Sequence, residues 1–231
     1  MNLLDVLIPK RCVGCGKIGK YFCDRCRAEI RIIPSNEAIC PVCEKPAIGG
    51  YTHPRCQTRY APDGLTSFFH YSGPVRKAIK VVKYRLVSDI AEEFIDLIHR
   101  GTISEITKPI SSELTIIIPI PLHSKRLRDR GFNQAEVLGK MLSTRLHIPM
   151  RTDILRRVRE TTPQVAMRKR VDRLKNLEGV FGCNAQALTH RRLDAVILFD
   201  DVFTTGATMR VAANVLKRNG VKFIWGVTIA R

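Results

Sequence analysis

Two adjacent carboxylates, Asp200 and Asp201, stand at the end of the apolar run Val196–Phe199 and are followed by Thr204-Thr-Gly-Ala-Thr208. Four consecutive apolar residues read as a strand buried on both faces. The carboxyl ends of such strands are where open α/β sheets bind ligands. The hydroxyl-rich turn carries Gly206, which permits close approach, and it opens directly onto a predicted helix, Ala207–Arg218. Turn amides and a helix N-terminus attract anions. The order of groups fits a sugar phosphate: Asp200 and Asp201 for vicinal ribose hydroxyls, then Thr204, Thr205, Gly206, Ala207 and Thr208 for the terminal phosphate. An Asp-capped turn at a helix start explains one acidic residue and one threonine. It does not require two of each, with a glycine, in this order.

Seven of the eight cysteines lie between Cys12 and Cys56. Cys12-x2-Cys15-x7-Cys23-x2-Cys26 is a paired CxxC arrangement, and Cys40-x2-Cys43-x9-His53-x2-Cys56 repeats it with one histidine. Each CxxC turn presents two ligands to one point, and two such turns complete a tetrahedron around zinc. Closed four-ligand shells leave no position for substrate, so the metal is expected to be structural, one or two Zn2+ ions supplying folding energy to a short segment. His53 read as a surface residue would leave the second set one ligand short. Three other readings stay open: both halves sharing one ion, iron in the all-cysteine shell, or a redox-active CxxC pair. Cys183, outside the cluster, reads as a small buried apolar residue.

The elements that must position these groups follow from periodicity. The cysteine skew marks a module over residues 1–60, and the turn-rich Tyr60-Ala-Pro-Asp-Gly64 is the predicted boundary to a second domain, 61–231. Beyond it, Leu65–Tyr71 reads as a strand, and Gly73-Pro74 opens a helix with Val75, Ile79, Val82 and Leu86 on one face. Asp89–His99 is a second helix, and Leu114–Ile118 a doubly buried strand ending in Pro119-Ile-Pro-Leu122. Asn133–Leu146 is amphipathic, Leu193–Phe199 is the strand before the acidic pair, and Lys222–Ile229 closes the sheet. Strands alternating with helices predict an α/β domain with a mostly parallel sheet and helices on both faces.

Composition narrows the partners. A net charge of +18 over 231 residues calls for something acidic, whether nucleic acid, a phosphorylated ligand or an anionic surface. Between Pro119 and Arg192 there are seventeen Lys/Arg against six Asp/Glu, a local excess of +11 beside the expected ligand turn. A diphosphate needs two or three cations, and the remainder suits single-stranded DNA, whose phosphates a basic groove can track. Phe132 and Phe181 could stack on bases but read more simply as core. The apolar stretch Leu3–Pro9 is too short for a signal peptide and no run approaches a membrane span, which places the expected protein in the cytoplasm.

Here the sequence resembles the type I phosphoribosyltransferases, whose signature is a hydrophobic strand, two acidic residues and a Thr-Thr-Gly turn. It resembles more closely the ComF family, competence-associated phosphoribosyltransferase-like proteins that include GntX-type members. The resemblance rests on the cysteine module; on Lys83-Tyr84 late in a helix; on Pro119–Leu122 leading to Arg130-Gly-Phe-Asn-Gln134; and on Thr162-Pro-Gln164 leading through Arg173 and Asn176 to Phe181. His53 departs from relatives that carry a cysteine there.

The resemblance implies a type I phosphoribosyltransferase-like fold and a phosphoribosyl diphosphate ligand accompanied by Mg2+. It makes Pro119, Ile120, Pro121 and Leu122 the turn facing the diphosphate, with Arg130 beyond it. Arg157–Asn176 corresponds to a flexible hood carrying Arg157, Arg159, Gln164, Arg168, Arg170 and Arg173. Three functions remain: phosphoribosyl transfer to an unidentified acceptor; an effector-gated protein binding single-stranded DNA during uptake; or an adaptor whose zinc module docks a DNA-uptake helicase or other competence protein. No residue stands out as the base for an acceptor, and His70, His123 and His147 read as surface or packing residues.

Overall fold

The computed structural model of the chain describes residues 9–84, 88–98, 115–160, 179–189 and 195–231. Leu86, Leu114, Leu193 and the stretch 161–178, with Gln164, Arg168, Arg170, Arg173 and Asn176, lie outside the described residues. In chain order the elements are α1 (Asp24–Ala28), β1 (Gly64–Phe69), α2 (Gly73–Tyr84), α3 (Ser88–Asp96), β2 (Thr115–Pro119), α4 (Ser124–Arg130) and α5 (Gln134–Leu146). There follow β3 (Leu155–Arg157), β4 (Phe181–Cys183), α6 (Ala185–Thr189), β5 (Ala195–Val202), α7 (Ala207–Arg218) and β6 (Phe223–Ala230). No described helix is long and apolar enough to cross a membrane.

Four described strands form one sheet in the order β1-β6-β5-β2, with every neighbouring pair parallel. Parallel neighbours need crossovers, and the helices that supply them cover both faces. Alternation along the strands decides which face each residue feeds. Ile117, Ile197, Phe199, Trp225, Val227 and Ile229 pack with Val75, Ile79, Phe94, Leu138 and Leu142 of α2, α3 and α5. Their sequence neighbours Ile116, Ile118, Val196, Leu198 and Ile224 pack with Met209, Ala212, Ala213 and Leu216 of α7. This is the expected α/β architecture, with an N-terminal cysteine-rich module.

Three elements carried no periodic signal. The strands β3 and β4, an antiparallel pair, have three residues each, too few to show alternation. Helix α4, Ser-Lys-Arg-Leu-Arg-Asp-Arg, has one apolar residue. Its ends define it: the His123 ring accepts from Lys125 N, and Gly131 closes the helix at φ 82°.

The N-terminal module is tied to this sheet. Ile32 forms an antiparallel bridge with Phe69, and Ile33 N donates to Phe68 O at 2.9 Å, so the edge of β1 is covered. Asp63, in the predicted seam, accepts from Ile224 N at 2.7 Å and pairs with the buried Lys217 Nζ at 2.7 Å. Next to it, Gly64 lies in register with Trp225, and a Cβ there would fall 2.0 Å from the indole ring.

Gly64→Ala is therefore expected to overpack the sheet and lower stability by about 2 kcal/mol, read as a shift in urea midpoint.

Candidate functional site

Both predicted metal sets converge. The ligand atoms of Cys12, Cys15, Cys23 and Cys26 lie within 4.8 Å of one another, and so do those of Cys40, Cys43, His53 and Cys56. They are two separate clusters, which disfavours one shared ion. The two knuckles share a backbone. Gly16 N donates to Cys12 O and Glu44 N to Cys40 O, at 2.8 and 2.9 Å. The residue after the second cysteine takes positive φ in each, 81° at Gly16 and 63° at Glu44.

The thiols are in electrostatic conflict. Burial pushes Cys12 up, yet the backbone groups of Cys23, Cys15 and Gly14 outweigh it and bring its thiol down to about 6. Burial and the neighbouring sulfurs drive Cys26 far upward. In the second set, burial and then Cys43 and Cys40 raise Cys56 to about 11. Four sulfurs this close cannot all ionise against one another, and a divalent cation at their centre removes the conflict. His53 is oriented for the task. Its Nε2 lies 2.9 Å from Pro46 O, which can only accept, so Nε2 carries the proton. Nδ1 is thereby left with its lone pair, 3.3 Å from Cys43 Sγ. His53 is positioned as a fourth ligand, and both sets fit structural Zn2+.

The second centre is a cleft of about 490 Å³ at the carboxyl end of the sheet. Strand β5 delivers Asp200 and Asp201 to it, but the pleat separates them. Asp201 is 4% exposed and on the α2 side, where Lys83 Nζ meets its Oδ2 at 2.6 Å. Asp200 is half-buried and lines both this cleft and the small cradle formed by Thr204, Gly206, Ala207 and Thr208. Burial, then the charge of Asp201, holds the Asp200 carboxyl well above the usual carboxylate range, and Lys83 partly offsets them. Burial works against the charge of Lys83, yet the two aspartates outweigh it and raise its pKa.

The turn from Thr204 delivers the cradle. Gly206 sits at φ 63°, and a Cβ there would lie 2.5 Å from the Phe203 ring. Glycine is thus needed for both conformation and space. The Thr205 Oγ1 is buried without a hydrogen-bond partner among the described residues. Thr205 lines neither the cradle nor the cleft, so the turn's fit to an anion rests on its position before the helix N-terminus.

Opposite the acidic pair, Ile120, Pro121 and Leu122 line the cleft, whereas Pro119 ends β2 against Phe199. Arg157 lines it too, its guanidinium 5.6 Å from the ring of Phe181, a core residue at 5% exposure. Burial and then Arg126 weigh against the charged form of Arg157, and Asp200 weighs for it. Arg130 and Arg159 are not among the lining residues; Arg130 Nη1 instead donates to Gln134 Oε1. Gln164 and Arg173 lie outside the described residues. Cys183, expected to be buried, is half-buried because it closes the short β4 at the rim.

Sequence reasoning passed over Lys83, Tyr71 and Arg126 as lining residues. The signal for Lys83 was its place beside Val82 on the apolar side of α2, where a lysine demands a partner. In the Arg130–Gln134 segment, Gln134 lines the cleft and Asn133 is structural. Its side chain caps α5 through Ala135 N at 3.1 Å and donates to Ile120 O at 3.0 Å, fixing the 119–122 turn.

Comparison with known proteins covers both halves of the chain. Residues 3–57 match the double zinc ribbon domain family. The chain is 30% identical over 201 residues to the DNA utilization protein YhgH of Salmonella typhimurium, spanning 84% of this chain and 85% of that one. It is 27% identical over 211 residues to Competence protein ComFC of Bacillus subtilis, spanning 88% and 81%. The similarity to Competence protein F of Haemophilus influenzae is 38% over 118 residues, about half the length of each chain.

The Lys83–Asp201 pair yields a direct expectation. Lys83→Met strands a carboxylate that is 6% exposed and should cost about 2 kcal/mol, less than for a fully buried pair because Lys83 keeps 26% exposure. Adding Asp201→Asn should recover most of that loss in urea unfolding; a double variant no more stable than the single one contradicts the pairing.

Proposed function

The chain belongs to the ComF family, and on that premise we propose that its cleft binds phosphoribosyl diphosphate. The observation that carries this reading is the segregation of groups around one cavity. A glycine-turned cradle at the N-terminus of α7 suits the terminal phosphate, Asp200 suits the ribose hydroxyls, and Arg126 and Arg157 face them for the diphosphate. Asp201, held by Lys83, still lines the cleft and adds negative charge beneath the sugar. Ile120–Leu122 would face the diphosphate, with the hood Arg157–Asn176 closing above it.

The chemistry this arrangement favours is transfer of phosphoribose to an acceptor. The bond from the anomeric carbon to diphosphate breaks while the acceptor's bond forms. Arg126 and Arg157 take up the leaving group's charge, and Asp200 and Asp201 stabilise the positive charge that develops on the ribose. Mg2+ entering with the diphosphate would supply further charge neutralisation, with Asp200 and Asp201 the cleft carboxylates able to support it. No histidine lines the cleft among the described residues, so an acceptor's proton would leave through another group. Within this proposal, residues 1–60 are the zinc module and 61–231 the phosphoribosyltransferase-like domain.

A second reading, single-stranded DNA binding, is favoured by position as well as charge. Exposed Lys125 and Arg128 on α4 and exposed Arg156 and Arg159 on the β3 side flank the cleft-lining Arg126 and Arg157. Relatives named for competence and DNA utilization point the same way. Docking of a helicase or other competence protein on the zinc module is the reading left if neither ligand binds.

Phosphoribosyl diphosphate at saturating concentration is expected to raise the melting temperature by roughly 5 °C. Asp200→Ala should remove most of that rise, and an equal rise in wild type and variant rejects the cleft as the site. For DNA, the logarithm of affinity for a single-stranded oligonucleotide should fall steeply and linearly with the logarithm of salt; binding that is flat across the titration rejects the polyanion reading.

A further inference from the structure

The second cysteine–histidine knuckle touches the anion turn, and the first does not. Between its ligands Cys40 and Cys43 lie Pro41 and Val42, whose carbonyls point at the start of α7. A Cβ on Gly206 would come 2.9 Å from Pro41 O, so that carbonyl rests directly on the turn's glycine. Arg210, in the first turn of α7, donates from Nη1 to Val42 O at 2.8 Å. Cys40 is fully buried, and Ile39 before it packs into the apolar cluster beneath α7. The first knuckle is seated elsewhere: Lys77 of α2 donates to Gly14 O at 2.6 Å, and Glu93 of α3 accepts from Phe22 N at 3.1 Å.

One carbonyl that abuts the turn and one that holds the first turn of α7 are thus trapped on a two-residue bridge between two metal ligands. A CxxC bridge holds its shape while both thiolates are bound to one ion, and it loosens when they are not. An anion turn depends on amides fixed in advance, since disorder there must be frozen out when the phosphoryl group arrives. We propose that the second knuckle is a working part of the anion turn, with Pro41, Val42 and Arg210 as positioning groups, so that metal at Cys40, Cys43, His53 and Cys56 sets how tightly the turn holds a phosphoryl group. The inference rests on reading Thr204–Thr208 as that turn. It assigns the two knuckles different jobs: the first secures the helices on one face of the sheet, and the second tunes the ligand site on the other.

The test compares two matched substitutions in the full chain, Arg210→Met and Lys77→Met. Each deletes one bond from a cation to a knuckle carbonyl. Amide hydrogen exchange of the peptide spanning residues 203–210 is followed by mass spectrometry without ligand, alongside zinc content and calorimetric titration with phosphoribosyl diphosphate. Arg210→Met should keep the wild-type zinc content, speed exchange of that peptide by about tenfold and weaken the ligand by a similar factor. Arg210→Lys should restore part of both, and Lys77→Met should change neither. Cys43→Ser should lose one zinc and reproduce the Arg210→Met behaviour more strongly; if that variant fails to fold, Arg210→Met alone decides. Exchange as slow in Arg210→Met as in wild type, or equally fast in Lys77→Met, overturns the inference. Failure of wild type to bind the ligand strikes the proposed function instead, because the exchange comparison needs no ligand.

Discussion

The pleat of β5 governs the cleft. Successive side chains leave a strand on opposite faces, so two adjacent aspartates at its end meet different neighbours even though both line the cleft. Asp201 follows Phe199 and Ile197 toward α2, where a carboxylate 4% exposed is tolerable because Lys83 sits 2.6 Å away. Asp200 follows Leu198 toward α7 and the Thr-Thr-Gly turn. Both carboxylates line the cleft, but Asp201 also holds the helix to the sheet end through Lys83, whereas Asp200 reaches the cradle before α7 as well. The same alternation runs through Ile116–Ile118 of β2, Val196–Phe199 of β5 and Ile224–Trp225 of β6.

The cysteine module belongs to this construction. A segment of about fifty residues buries too little apolar surface to stand alone, and here it covers the edge of β1 and meets both helical layers, while Asp63 in the seam beside it anchors β6 and α7. The metal sites make such seating possible because their backbones stay rigid without a core of their own. His53 shows how closely the shell is prepared: one hydrogen bond to Pro46 O decides which of its nitrogens faces the cysteines.

Much of this was legible in the sequence, for identifiable reasons. Continuous apolar runs gave β2 and β5, the helical periods gave α2, α5 and α7, and the CxxC spacing gave both clusters, because each signal reflects a local geometric requirement. What stayed hidden depends on partners distant in sequence. The basic helix α4 has no apolar stripe, so its existence rests on its caps. Arg126 rather than Arg130 reaches the cleft because that helix presents one turn and not the next. Separation of Asp200 from Asp201 follows from period two, yet the weight of the adjacent pair as a ligand motif obscured it. Nothing in the spacing of Cys40 and Cys43 announces that the bridge between them lies on Gly206, 165 residues away in the chain's own numbering from Pro41.

The charges around the cleft are matched to a particular kind of ligand. Asp200 is pushed toward its neutral form by burial and by Asp201, and Arg157 is disfavoured as a cation by burial and by Arg126. Like charges are thus crowded on each wall, and the protein alone relieves the acidic wall through one lysine. A ligand with hydroxyls in its middle and phosphoryl groups at its ends would relieve both walls at once: hydroxyls donate to the carboxylates, and phosphoryl oxygens draw charge toward the guanidiniums. A neutral sugar would answer the first wall and a free diphosphate the second. On the proposed reading, selectivity for a molecule carrying both would follow from conflicts the fold builds in and leaves for the ligand to resolve.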